Sequence, residues 1–212
     1  LVGKDFGWKI DDDSNVTKVS AFMVNEEKIG VYQNCGKKDW WADKLPANVT
    51  IYPTINELKN SDSKGYLIIT DEIVDDNSLL QNAVVYRPPS LVVGVGLHWD
   101  TAKGTIKDGL MSCMNKFKLS EKSIARFVSI KKENDVAGLV ELAKEMSKPI
   151  QHFEKEELAS ISTPNPSKTV QTFEGTPSVS EAAAIKSSEG KLVVEKQKFP
   201  PNLTIAIARI PN

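Results

Sequence analysis

The sequence predicts an α/β protein made of two small α/β domains, residues 1–89 and 90–212. The second is expected to be a three-layer, mostly parallel sheet closed by a C-terminal hairpin. Three observations carry this. Apolar runs of strand length recur through the chain. A stiff joint, Arg87-Pro88-Pro89, divides it, because each proline fixes its own φ and restrains the residue before it. Behind the joint, strand-like runs alternate with segments of helical periodicity, the rhythm of a sheet flanked by helices.

In the first part, "KVSAFMVNEEKIGVYQN" reads as two alternating apolar runs around Asn25-Glu26-Glu27-Lys28, a hairpin by length and turn chemistry. The strand "NVTIYP" follows, then a short helix at "TINELKN", where Thr54 and Glu57 have capping-box spacing. "GYLIITD" and "AVVYRP" are buried strands. In "KKDWW", Trp40 and Trp41 cannot both face one core from a strand, so one buried and one half-exposed tryptophan is expected.

In the second part, "SLVVGVG" is a strand breaking into a Gly-x-Gly turn, and "TAKGTIKDGLMSCMNKF" has helical spacing. "ARFVSI" is the next strand, after a short helix capped at Ser120. "DVAGLVELAKEMS" is an amphipathic helix that starts at Asn134 or Asp135 and is stopped by Pro149. "PIQHF" is a third strand, and "KLVVEK", "QKFPPN" and "LTIAIARI" form the closing hairpin.

Composition narrows the function. Lys plus Arg number 27 against 28 Asp plus Glu, so no global field recruits nucleic acid or an anionic membrane. No apolar run approaches the roughly 18 residues of a membrane span, and no signal-peptide pattern opens the chain. Cys35 and Cys113 form neither a disulfide framework nor a zinc motif, and only His98 and His152 supplement them. A protein-held metal is therefore not expected, and the chemistry suits a reduced, cytoplasmic protein. The chain opens at Leu1 rather than Met, so a segment upstream is expected.

The glycine stretch does not fit nucleotide chemistry. A dinucleotide fingerprint needs a third glycine where Trp99 stands, and an acidic residue where Ile130 is followed by Lys131 and Lys132. A P-loop needs Gly-Lys-Ser/Thr where the chain has Trp99-Asp100-Thr101. Both readings fail, and Gly94 and Gly96 are equally read as residues that let a buried strand turn sharply. Ligands of open α/β sheets nonetheless collect outside the carboxyl ends of the strands, where His98, Trp99, Asp100 and Thr101 should emerge. His98 is the only histidine expected at such a mouth, as acid, base or donor, or else as a surface imidazole with a local partner. Asp100 or Thr101 is a candidate helix cap. In "GTPSVSEAAAIKS", Ser178 and Glu181 have capping-box spacing, and the helix start is a carboxylate or phosphate receptor lined by Thr176 and Ser178. Glu181 is read as a structural cap or a general base. Lys196, with Lys198 beyond, is either solvated or an anchor for an anionic substrate.

Taken together, "RPPSLVVGVG", "VSIKKENDVAGLVELAKEMSKPIQHFEKEEL", "TPSVSEAAAI" and "LVVEKQK…TIAIA" resemble the cobalamin biosynthesis protein G family, in order and at fitting spacing. "FGWKI…VSAFMVN" and "DWW…LPANVTIYPTINEL" resemble that family's central region. The resemblance implies hydrolysis of cobalt-precorrin-5A in the anaerobic corrin pathway: a δ-lactone on the macrocycle is opened and a two-carbon unit leaves as acetaldehyde. It implies a cobalt-tetrapyrrole as small-molecule substrate, with cobalt carried by that substrate and no cofactor held by the protein. The chain departs from the family in two respects. The family continues its Gly-x-Gly with Cys-Arg-Arg-Gly, whereas Leu97-His98-Trp99-Asp100 stands here. The family also carries an N-terminal module that nothing in these 212 residues matches.

The expected site lies in the groove between the halves or at the second sheet's strand ends. His98 and Glu181 are expected near the reacting lactone, and Gly94 and Gly96 form a wall for the macrocycle's edge. Thr176 and Ser178 would donate to its anions, and Lys103 and Lys196 would hold its carboxylates. A non-catalytic tetrapyrrole-binding protein of the same pathway, or a nucleotide-binding α/β module, are the competing readings. The sequence leaves a homodimer open.

Overall fold

The computed structural model describes residues 6–41, 44–167 and 178–212. It divides into two compact units, Leu1–Pro89 with Asn212, and Ser90–Pro211. In the first, β1 (Lys9–Ile10), α1 (Val16–Val24), β2 (Ile29–Gln33), β3 (Val49–Tyr52), α2 (Ile55–Lys59), β4 (Gly65–Ile69), α3 (Asn77–Leu80) and β5 (Ala83–Arg87) follow one another. The sheet order is β1-β5-β4-β2-β3, parallel except where the short β1 runs against β5. The pleat sends Leu67, Ile69, Val84 and Tyr86 into one apolar cluster and Ile68, Ala83 and Val85 into another, so both faces are covered.

The hairpin expected at Lys18–Asn34 does not form. Its first arm is α1, and β2 pairs in parallel with β3 and β4 instead. The β-branched residues suggested a strand, but Val19 packs inward with Val16, Phe22 and Met23 beside it, which is helical spacing. The supposed turn is the helix terminus. Glu26 sits at φ 61° while its N–H bonds to Met23 O at 3.3 Å, and Glu27 N–H bonds to Phe22 O at 3.0 Å. That pair closes a Schellman motif. At α2 the sequence reading holds: Thr54 Oγ1 accepts from Glu57 N–H at 3.2 Å. Trp40 is buried, its indole N–H donating to Gln33 Oε1 at 2.7 Å, and Trp41 is half-buried beside it.

The second unit runs β6 (Leu91–Leu97), α4 (Lys103–Lys116), a 3₁₀ turn (Glu121–Ser123), β7 (Ile124–Ile130), α5 (Ala137–Glu145), β8 (Ile150–Phe153), α6 (Lys155–Ala159), α7 (Val179–Ser188), β9 (Lys191–Phe199) and β10 (Leu203–Arg209). The sheet order is β8-β7-β6-β10-β9. The first three strands are parallel, and the closing hairpin adds β10 antiparallel to both β6 and β9. Leu91, Val93, Val95 and Leu97 face α4 and α5, whereas Val92 faces α6 and α7, giving three layers. Helix α5 starts later than expected. Val136, buried in the core, occupies the position before its first turn, and neither Asn134 nor Asp135 caps it.

One expectation about β6 is overturned. Gly94 and Gly96 form no turn; both lie inside the strand, which continues to Leu97. Being two residues apart, they point to the same face, the one under α7. A Cβ on Gly94 would lie 1.9 Å from Ser180 O, so the helix backbone rests directly on the strand there. The pair permits a close approach and makes no phosphate-cradling loop.

Candidate functional site

A cavity of about 400 Å³ opens at the carboxyl ends of β6 and β7. Sheet register explains its lining. In the β10 pairing Leu203 faces Leu97 and Thr204 faces Gly96, while in the β9 pairing Lys198 faces Thr204. The end of β9 therefore runs to the same mouth as the end of β6 and delivers Lys196 and Lys198 there. Lys132 arrives from β7, Ser178 and Val179 from the start of α7, and Gly96 and His98 from β6. Of the residues singled out from sequence, Gly96, His98, Ser178 and Lys196 are brought together.

His98 sits half-exposed at the rim with Nδ1 2.7 Å from Asp100 Oδ1. The Asn202 side-chain amide donates to the same oxygen at 3.1 Å. With the carboxylate accepting, the proton rests on Nδ1 and leaves the Nε2 lone pair available. The loop is stitched further by Thr101 Oγ1, which donates to His98 O at 2.9 Å, and by His98 N–H on Asn202 O at 3.3 Å. Neither Asp100 nor Thr101 caps α4; Ala102 holds that position.

The capping box expected at Ser178 and Glu181 is absent. Ser178 Oγ is buried and has no hydrogen-bond partner among the described residues, although it lines the cavity. Glu181 is wholly buried and turns the other way. Its carboxylate accepts from Asn165 N–H (3.2 Å), Asn165 Nδ2 (2.8 Å) and Lys196 N–H (3.0 Å). It thus ties α7 to β9 and to the segment around Asn165. Lys196 Nζ donates to the Asn165 carbonyl. Burial lowers its pKa below the usual lysine value, against a smaller opposing pull from Glu181.

The remaining predicted residues lie elsewhere. Gly94 is sealed beneath α7. Lys103 does not line the cavity; its ammonium is 3.0 Å from Glu145, which also binds Lys107 at 2.6 Å across the α4–α5 surface. Thr176 lies outside the described residues. Among the described residues His98 is the histidine that lines the cavity; His152 on β8 lines a separate small hollow with Ser129 and Lys132, Nε2 3.8 Å from Asp135. Sequence reasoning missed Lys132 and Asn202. The signal for Lys132 was the basic pair directly after a buried strand end; nothing local marked Asn202.

A cavity of about 250 Å³ in the first unit, at the ends of β2 and β4, is lined by Lys59 but also by Glu72, Asp75 and Asp76. Its acidic lining has the wrong sign for a polyanion. Among the described residues no cluster of three or more His, Cys, Asp or Glu could hold a metal ion, and no helix is long and apolar enough to cross a membrane.

Comparison with known proteins follows the same division. Residues 1–88 match the family described as cobalamin biosynthesis central region, and residues 91–208 match cobalamin synthesis G C-terminus. The cobalt-precorrin-5A hydrolase of Priestia megaterium is 34% identical over 215 residues, covering 100% of this chain and 58% of that protein. The chain thus spans somewhat more than half of that relative's length. The crystal structure of CobE, a protein from the cobalamin (vitamin B12) biosynthetic pathway, superposes with a TM-score of 0.55 at 24% identity. It covers 59% of this chain and 94% of its own, a likeness of fold. With both halves matched in order along one chain, the protein belongs to the cobalamin biosynthesis protein G family, of which it carries the central region and the C-terminal domain.

Proposed function

We propose that the protein acts in corrin ring synthesis as a cobalt-precorrin-5A hydrolase. The observation that carries this reading is the cavity itself: three lysines and a helix N-terminus surround an imidazole already oriented by a carboxylate. The lysines and the first free N–H groups of α7 suit the carboxylates of a tetrapyrrole edge. The cobalt belongs to the substrate, and the protein supplies no cofactor.

In this mechanism His98 Nε2 takes a proton from water, and the resulting hydroxide attacks the lactone carbonyl. Charge gathers on the former carbonyl oxygen, where α7 N–H groups and a lysine offset it. The tetrahedral centre collapses, the ring C–O bond breaks, and His98 returns its proton to the departing alkoxide. His98 Nε2, neutral again, takes the O–H proton of the freed alcohol, which becomes acetaldehyde as its carbon–carbon bond to the macrocycle breaks, the electron pair passing into the ring. Asp100 holds the imidazole tautomer throughout, and Asn202 holds Asp100.

The test is acetaldehyde release on incubation with cobalt-precorrin-5A, with His98→Ala expected to lower kcat about 10²- to 10⁴-fold. Intact lactone after incubation with full-length, folded protein would sink the reading. A non-catalytic tetrapyrrole-binding role is favoured by one observation, the His98-Trp99-Asp100 mouth in place of Cys-Arg-Arg-Gly. It predicts an absorbance shift of the bound corrinoid without acetaldehyde. A cytoplasmic setting goes with either reading and is supported by two buried cysteines, Cys35 and Cys113, that are not joined in a disulfide.

A further inference from the structure

Trp99 is 72% exposed, far more than any other aromatic among the described residues of the second unit. It projects from a tethered loop. Its neighbours His98, Asp100 and Thr101 are all engaged in the hydrogen bonds that stitch the loop to itself and to Asn202. The imidazole of His98 packs against the indole at 5.6 Å between centroids. Trp99 directly follows His98, which lines the cavity, so its exposed indole stands next to the rim and offers a large amphipathic surface for contact.

Cavity size says what that contact is. At about 400 Å³ the cavity admits one edge of a tetrapyrrole with the acid arms on that edge. The broad flat face of the macrocycle must stay outside, next to whatever borders the rim. Three lysines that line the cavity (Lys132, Lys196 and Lys198) fix the anionic edge. They leave the π-face without a protein partner unless the rim supplies one.

We infer that Trp99 is a stacking platform for the face of the macrocycle, and that it sets specificity for flat tetrapyrroles over other polycarboxylates. This rests on the reading of the cavity as a tetrapyrrole site. An indole against a large π-system at the edge of a cationic pocket discriminates by shape and polarisability, which lysines alone cannot do.

The experiment uses protein labelled with 5-fluorotryptophan, titrated with metal-free uroporphyrin III, and separately with citrate as a polycarboxylate lacking a flat face. Of the four tryptophans, Trp8 and Trp40 are buried and Trp41 half-buried, so the Trp99 fluorine signal is identified by its loss in Trp99→Leu. Uroporphyrin is expected to move that signal upfield by its ring current while citrate leaves it in place. Trp99→Leu should raise the uroporphyrin Kd about three- to tenfold, with Trp99→Phe close to the parent. An unmoved signal at saturation, or equal affinity of the leucine variant, overturns the platform while the cavity reading stands. Absence of any uroporphyrin binding to the parent protein overturns both. Because the side chain is exposed, neither substitution threatens the fold.

Discussion

Gly94 and Gly96 differ in what a side chain would strike. A Cβ on Gly94 meets the Ser180 carbonyl at 1.9 Å, whereas one on Gly96 meets the Thr204 hydroxyl at 2.5 Å, the end of a side chain that can rotate. Gly94→Ala should cost at least about 1–3 kcal/mol and lower the melting temperature, with Gly96→Ala milder. Equal melting temperatures for the two would refute the close approach. Glu181 reads from sequence as a structural cap or a general base, because capping-box spacing says nothing of a carboxylate turned toward a distant strand. Glu181→Gln should destabilise by about 1–3 kcal/mol, since one amide hydrogen must face a donor, while kcat per folded molecule changes less than about threefold. A hundredfold fall in kcat would move Glu181 into the reaction. Lys196 carries a pH signature. Burial lowers its pKa, so as pH rises it discharges earlier than an ordinary lysine and its grip on carboxylate is lost first on the alkaline side. KM should rise with pH there, and Lys196→Arg, which stays charged, should flatten the rise.

At the level of elements, helices with strong periodicity were legible and short β-branched ones were not. The run around Val19 mimicked a strand because valine and phenylalanine serve either structure, and only the buried face of α1 decides between them. The α4–α5 pair is joined by Glu145, whose carboxyl is drawn down to about 2 by hydrogen bonds from Lys107 and then Lys103. A depressed carboxylate contributes stability above the ordinary range and loses it as pH falls through the folded value. The side-chain carbon of Glu145 should therefore titrate near 2 by NMR, and Lys107→Ala should return the midpoint toward ordinary glutamate. The pair is exposed, so the change in melting temperature should be small.

For the whole molecule, the proline joint and the change of rhythm behind it were readable because backbone restraint and periodicity are local properties. The assembly of the cavity was not, since it depends on the register that sets Lys198 opposite Thr204 and Thr204 opposite Gly96. Each unit has its own apolar clusters, and every described residue that lines the cavity belongs to the second. A fragment of residues 90–211 should therefore fold alone, unfold cooperatively on heating, and bind uroporphyrin like the parent. A fragment with no thermal transition would show that the division is not autonomous.

Strand β10 is the last of its sheet in sequence yet sits between β6 and β9. During synthesis, the ribosome must release its residues before β6 finds its neighbour on that side, so the nascent domain waits with an open seam. A stop codon only a few residues before Leu203 would leave that seam unfilled and the product a target for quality-control proteases.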